Sequence, residues 1–411
     1  MSATEPAAAQ RRASFRTACT GCGRELAGGF FPECPACGAM SDVVYDLPAV
    51  TLRDSPNPYV RFLDLLPVSR PELLPADATF TPTVHSRALG GALGMTGLYL
   101  KDETGLATGT TKDRMAAIAL PYLYECGVRA FTTSSTGNSS SAYARAIGRI
   151  PELRMFVFTA EAFRDRVALT PDDRVVDVVL QDATFVEAFA AAGAYAAGHG
   201  LVSERGFFNP GRREGLKVAW LEAAEQVPGD IDWYVQAVSS AMGVYGVFNA
   251  AAQRRDLGLA RRLPRLLCVQ QESRAPMVTA WRAGAERIRP DDVVAHPTGI
   301  ASAIMRGDPT RTYPYVRRIV DDSGGTFTSV SESEIRAARA ALEDHEGISP
   351  CFAAAAAVAG MIQMRRAGTI GVDDAVLVNV SGSDRTGTPT TDRTRWLQRS
   401  PDGWDFAPIA G

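Results

Sequence analysis

The sequence predicts an α/β protein with mainly parallel sheets. Short apolar segments alternate with helix-length segments from about position 97 to position 383. Several of the apolar segments run directly into small polar residues that open the next helix. No internal repeat of ~20–50 residues is visible, so a solenoid or propeller is excluded.

The elements follow in chain order. Gly97-Leu98-Tyr99-Leu100 reads as a strand feeding "KDETGLATGTTKDRM" (101–115), where a Gly/Thr turn places Lys112 at the mouth of a helix. "GVRAFTTSS" (127–135) reads as a strand and "NSSSAYARAIGRI" (138–150) as a helix; "ELRMFVFTA" and "VVDVVLQ" are further strands. The alanine-rich "FVEAFAAAGAYAAGHG" is helical, and "DWYVQAVSS" is a strand before the helix "GVYGVFNAAAQRR". "RLLCVQQE" and "AVLVNVSGS" complete the strand set, and the Pro-rich segment 48–82 reads as a linker.

Composition bounds the function. The 411 residues suffice for two domains, and 46% hydrophobic with 22% charged residues is ordinary for a globular chain. A net charge of −3 gives no electrostatic case for nucleic acid or an anionic membrane. No window approaches the ~18 apolar residues of a membrane span. The N-terminal "MSATEPAAAQRRAS" lacks the apolar core of a signal peptide and reads as a flexible tail, which points to a cytoplasmic protein with reduced cysteines.

Four of the seven cysteines, Cys19, Cys22, Cys34 and Cys37, form two C-x2-C knuckles eleven residues apart. A glycine follows each knuckle and lets the backbone turn its amides toward the thiolates. Four thiolates suit a closed, tetrahedral, structural Zn2+ site. Cys126 and Cys268 sit in apolar stretches and read as small core residues, and Cys351 stands apart.

Four loops at strand C-termini have chemistry that suits one cleft. A surface lysine needs no glycine-threonine setting; a lysine that forms a Schiff base must be held, desolvated and aimed, as the Lys112 loop could do. "SSTGNSSS" (134–141) offers amides and hydroxyls at a helix start, suited to a carboxylate or phosphate. "VSSAMGVYG" (238–246) is a second such turn, suited to a phosphate, and "NVSGSDRTG" (379–387) offers hydroxyls at a strand end.

Their joint order resembles threonine synthase, within the fold-type II family of pyridoxal phosphate enzymes. "DETGLATGTTKDR" is similar to the family's lysine loop and "STGNSSS" to its S-x-G-N asparagine loop. "NPGRREGLKVAWLEAAEQV" (209–227) and "GIASAIMRGDP" (299–309) resemble two further threonine synthase segments, and an N-terminal zinc ribbon occurs in a subset of that family. The match runs from about position 19 to about 390.

The resemblance implies a tryptophan synthase β-like architecture: two open, twisted, mostly parallel α/β domains with the cofactor in the cleft. The implied division is a tail over 1–18, a ribbon over 19–47, a large cofactor-binding domain from 48–114 and 205–411, and a smaller mobile domain over 115–204. It implies that Lys112 forms the Schiff base with pyridoxal 5'-phosphate and later moves protons. Asn138 would bond the cofactor's phenolic oxygen; Ser239, Ser240, Ala241, Met242 and Gly243 would cradle its phosphate; Ser381 would meet its pyridine nitrogen. Ser135, Thr136 and Ser139 would line the substrate carboxylate site, and Arg212 stands at a phosphate-binding position. A small amino-acid substrate and a homodimer are also implied. On sequence alone Arg212 could instead pair with nearby Glu214.

The departures from the family lie at ligand-facing positions. The phosphate loop reads Ser-Ser-Ala-Met where the family has Gly-x-Gly-Gly. Gly206 and Phe207 replace a polar Asn-Ser, "GISPCFAAA" carries Cys351 and Phe352 where Glu-Pro is usual, and the last loop lacks the usual Gly-Leu-Lys-Asp. Three readings result: threonine synthase proper, acting on O-phosphohomoserine; a relative redirected to elimination or replacement at Cβ of an O-activated amino acid, as in cysteate synthase; and a binding protein that has lost catalysis. A hydroxyl at the pyridine nitrogen favours elimination and replacement over transamination.

Overall fold

A computed structural model describes residues 14–304, 306–401 and 403–409. Its strands are β1 (Phe15–Cys19), β2 (Ser41–Tyr45), β3 (Thr83–His85), β4 (Leu98–Asp102), β5 (Ala130–Ser134), β6 (Arg154–Ala160) and β7 (Val175–Leu180). They continue with β8 (Val202–Ser203), β9 (Trp233–Ala237), β10 (Arg265–Gln271), β11 (Thr326–Val330), β12 (Val376–Val380) and β13 (Arg395–Leu397).

Two sheets carry the architecture. A six-stranded sheet has the order β11-β10-β9-β12-β4-β3, parallel except at β3, which runs antiparallel to β4. A five-stranded parallel sheet has the order β13-β7-β6-β5-β8. The central strands β9 and β12 are buried along their whole length, as near-continuous apolar runs in a doubly covered parallel sheet must be. The alanine-rich helix Phe352–Arg366 packs close on the larger sheet. A side chain added at its Gly360 would fall 2.4 Å from Val269. The helix Lys112–Glu125 packs through Met115, Ala119 and Leu123 against Leu216 and the first residues of the smaller sheet's core.

The predicted strands and helices recur within a few residues, and the differences have physical causes. Strand β1 begins at Phe15, so 15–18 is part of the ribbon rather than tail; residues 1–13 lie outside the described residues. Arg395–Leu397 pairs with Val178–Leu180, so the C-terminal end joins the smaller sheet and not the large domain expected for all of 205–411. Segment 48–82 is more than a linker: Phe62, Leu65, Leu66 and Val68 are fully buried, and Asn57 accepts from the amides of Tyr59 and Val60 to start a helical turn. Cys268 is a core residue as predicted, whereas Cys126 is only half-buried. No described helix is long and apolar enough to cross a membrane.

Candidate active site

Adjacent strands of the larger sheet, β9, β12 and β4, end at the Ser239, Ser381 and Lys112 loops, and β5 of the smaller sheet ends at the Ser135 loop. All four loops line one cleft with about 1070 Å³ of free space, part of it open to solvent. Lys112, Asn138, Ser135, Thr136, Ser139, Arg212, Ser239 to Gly243 and Ser381 all face it.

The lysine loop is fixed from both sides. Asp113 accepts from the Thr108 amide at 2.6 Å and the Thr108 hydroxyl at 2.7 Å, folding the turn back on the helix start. Gly109 takes φ +67, and the Thr111 amide donates to the Ser381 carbonyl at 2.9 Å, clasping the Lys112 and Ser381 loops together. Beneath the helix, the fully buried Arg114 bonds Glu103 at 2.5 Å and Glu222 at 2.6 Å, and Lys101 reaches Glu222 at 2.8 Å. Two cations and two carboxylates cancel, which is how four charges can be kept in a core. Burial, followed by the Arg212 cation, lowers the Lys112 ammonium from its ordinary value to about 7. A neutral amine is therefore available near neutral pH.

Opposite, Ser135 Oγ accepts from the amides of Gly137 and Ser140, both at 3.1 Å, and so shapes the turn before the helix Asn138–Ala146. Gly137 at φ +120 cannot be replaced cheaply, because a Cβ there would lie 2.6 Å from the Arg166 carbonyl.

Pyridoxal phosphate fits the donors that this cleft presents. Ala241 sits at φ 61, ψ 23 immediately before the helix Met242–Asp256, in the left-handed conformation normally left to glycine. The turn thus adopts a left-handed conformation although alanine occupies it. At Gly243 a Cβ would come within 2.7 Å of the Gln236 amide end, so a side chain there would require Gln236 to shift. The buried hydroxyls of Thr111 and Ser134, both lining the cleft, have no protein partner among the described residues and remain for a ligand.

Arg212 pairs with Glu204 at 2.7 Å rather than with Glu214, which instead meets Lys217 and Tyr45. Its other donors go to Ser139 Oγ and to Met115 Sδ, the latter at 2.9 Å. Phe207 is 2% exposed and stacks edge-on with Phe208 and Tyr245, while Arg213 donates to its carbonyl. The wall that carries polar residues in the resembling family is therefore a built-in aromatic wall here. Sequence reasoning missed Glu204, Arg306, Phe185 and Phe189, and placed no role on Cys351; all but Glu204 line the cleft. Glu204 is distant in sequence from Ser139 and carries no motif. Arg306 lay inside a quoted resembling segment, where the family's reading Ala-Ile-x-Ile-Gly-Asn-Pro has isoleucine at its position.

The sulfurs of Cys19, Cys22, Cys34 and Cys37 lie within 4.8 Å of one another, with Cys19–Cys37 at 3.3 Å and Cys22–Cys34 at 3.8 Å. Tetrahedral Zn–S bonds place sulfurs ~3.8 Å apart, so the donor set fits zinc. Gly23 and Gly38 both take φ +72, turning the two knuckles as the sequence predicted. Between them, Glu33 pairs with Arg205 and Arg311 at the rim of a second pocket beside the cleft.

Comparison with known proteins agrees with this geometry. The model of the family described as pyridoxal-phosphate dependent enzyme matches residues 76–382. The chain is 32% identical to a cysteate synthase of Methanoregula boonei over 78% of each chain. It is 28% identical to a threonine synthase of Methanosarcina acetivorans over 90% of this chain and 91% of that one. Among solved structures, diaminopropionate ammonia lyase from Escherichia coli superposes with TM-score 0.60 at 16% identity, covering 75% of this chain and 86% of that one. Threonine deaminase isoform 2 from Solanum lycopersicum gives TM-score 0.58 at 19% identity, covering 75% and 85%. These two show the shared fold.

Proposed function

From the premise that the chain belongs to the pyridoxal-phosphate dependent enzyme family and is threonine synthase-like, we propose that it catalyses elimination or replacement at Cβ of an O-phospho amino acid. The observation that carries this reading is the wall at 206–207. Phe207 is locked into an aromatic cluster, Gly206 offers no side chain, and Arg212 is bound to Glu204, so little polar reach is left for a phosphate one carbon farther out. The cysteate synthase relatives point the same way; the threonine synthase relatives favour the second reading, hydration of O-phosphohomoserine to threonine.

In the proposed site Lys112, Ser239 to Gly243, Asn138 and Ser381 hold the cofactor, which when bound supplies an electron sink for charge developing at the substrate Cα. Lys112 Nζ, its pKa lowered to about 7, removes the Cα proton and can return it. The Ser135, Thr136 and Ser139 turn receives the substrate carboxylate, with Arg212 holding Ser139 in place and adding positive charge. Chemistry at Cβ needs no second deprotonation, so one base suffices. A small amino acid is the substrate of this reading, and the unit around β5 to β8 is the part expected to close over it in a cytoplasmic homodimer.

Steady-state phosphate release by the purified holoenzyme tests the reading. O-phospho-L-serine should show a kcat/KM at least about tenfold above that of O-phospho-L-homoserine. Efficient threonine formation from the latter would overturn it.

A further inference from the structure

Four arginines line the cleft or the pocket that adjoins it: Arg205, Arg212, Arg306 and Arg311. Three are engaged by two carboxylates. Arg205 and Arg311 pair with Glu33 of the ribbon, and Arg212 pairs with Glu204 at 2.7 Å. Arg306 alone has no recorded hydrogen bond or ion pair among the described residues. It lines both cavities and stands at their junction with Phe185, Phe189, Gly206 and Phe207. An aromatic surround of low polarity strengthens the field of a guanidinium and penalises leaving it without a counter-ion. Burial lowers its pKa, and the cations of Arg212 and Arg311 add to that effect against the single nearby carboxylate of Asp308. The two cavities therefore hold an excess of positive charge, and Arg306 is the one of the four guanidiniums whose donors meet no partner among the described residues.

We propose that Arg306 is a specificity-determining residue that binds the tetrahedral oxyanion on the substrate side chain, the phosphate leaving group, at the junction of the two cavities. This rests on the Cβ-phosphate reading above and sharpens it. The anion-binding task moves from Arg212, whose donors are engaged by Glu204, Ser139 and Met115, to an arginine one wall away. The guanidinium fork matches two oxygens of a phosphate, whereas lysine would offer a point charge.

Inorganic phosphate is the probe. In the holoenzyme the cofactor fills its own cradle, so calorimetric titration with phosphate reports other anion sites. Phosphate should bind wild type and weaken about 10- to 100-fold in Arg306→Gln, with partial recovery in Arg306→Lys. Inhibition of phosphate release by L-serine, which has the carboxylate but no phosphate, should be unchanged in Arg306→Gln. Equal phosphate affinity in wild type and folded Arg306→Gln would overturn the assignment, even if O-phospho-L-serine is turned over and the Cβ reading stands. Arg306-dependent phosphate binding without turnover of either phosphoamino acid would support the anion site while removing the proposed reaction.

Discussion

Replacing Arg114 by leucine should unfold the lysine loop's foundation. Arg114 bonds Glu103 at 2.5 Å, both oxygens of Glu222 at 2.6 and 2.7 Å, and Thr81 at 2.8 Å, all inside the core. Burial alone would raise the Glu103 pKa; Arg114 more than reverses this and holds it below the ordinary value. Without Arg114, two buried carboxylates face only Lys101, and one negative charge has no partner. Breaking a buried pair in this way costs about 3–5 kcal/mol. The double variant Arg114→Leu/Glu103→Leu leaves Lys101 with Glu222, one charge of each sign. It should be about 1–3 kcal/mol more stable than the single variant, although it has lost more side-chain polarity. Chemical denaturation followed by tryptophan fluorescence measures both. A single variant within about 1 kcal/mol of wild type, or a double variant weaker than the single, would refute the charge-balance account.

Other expectations concern the site directly. Lys112→Ala should reduce turnover by about a thousandfold or more while cofactor is still bound through the Ser239–Gly243 turn, measured by kinetics and by equilibrium dialysis. In cofactor-free protein the Lys112 amine should react with an acylating reagent half-maximally near pH 7. In Arg212→Gln the midpoint should move upward, because a neighbouring cation has been removed. Since the unfolded lysine keeps its proton up to about 10.5, this group's contribution to stability rises between pH 7 and 10.5. Ala241→Gly should raise stability by about 1 kcal/mol by relieving the left-handed alanine, read as a shift in the unfolding midpoint. Purified protein should carry about one zinc per chain, and chelation should lower the unfolding midpoint; elemental analysis and thermal denaturation check this.

The strand-to-turn joints were legible in the sequence because each depends on a local signal. The Gly/Thr turn before Lys112, the S-x-G-N turn and the two C-x2-C knuckles are contiguous, and their backbone requirements are written into neighbouring residues. The Ser239–Gly243 turn was legible in place but not in shape, because nothing local says that Ala241 will accept φ 61. Partners were not legible. Glu33 takes Arg311 across a long stretch of chain; Glu204 and Glu214 are both near Arg212 in sequence, and the choice between them is made only when the helix Pro210–Leu216 packs. The ribbon's reach to the pocket rim, and the return of Arg395–Leu397 to the smaller sheet, are tertiary facts of the same kind.

Proton exchange in deuterium oxide tests the central claim most directly, because loss of phosphate from Cβ requires removal of the Cα proton alone, whereas loss from Cγ requires removal of a Cβ proton as well. With holoenzyme followed by proton NMR, O-phospho-L-serine should lose its Cα proton as phosphate is released. O-phospho-L-homoserine should keep both its phosphate and its Cβ protons. Wash-out of Cβ protons from O-phospho-L-homoserine with appearance of threonine, or retention of both the Cα proton and the phosphate by O-phospho-L-serine, would contradict it.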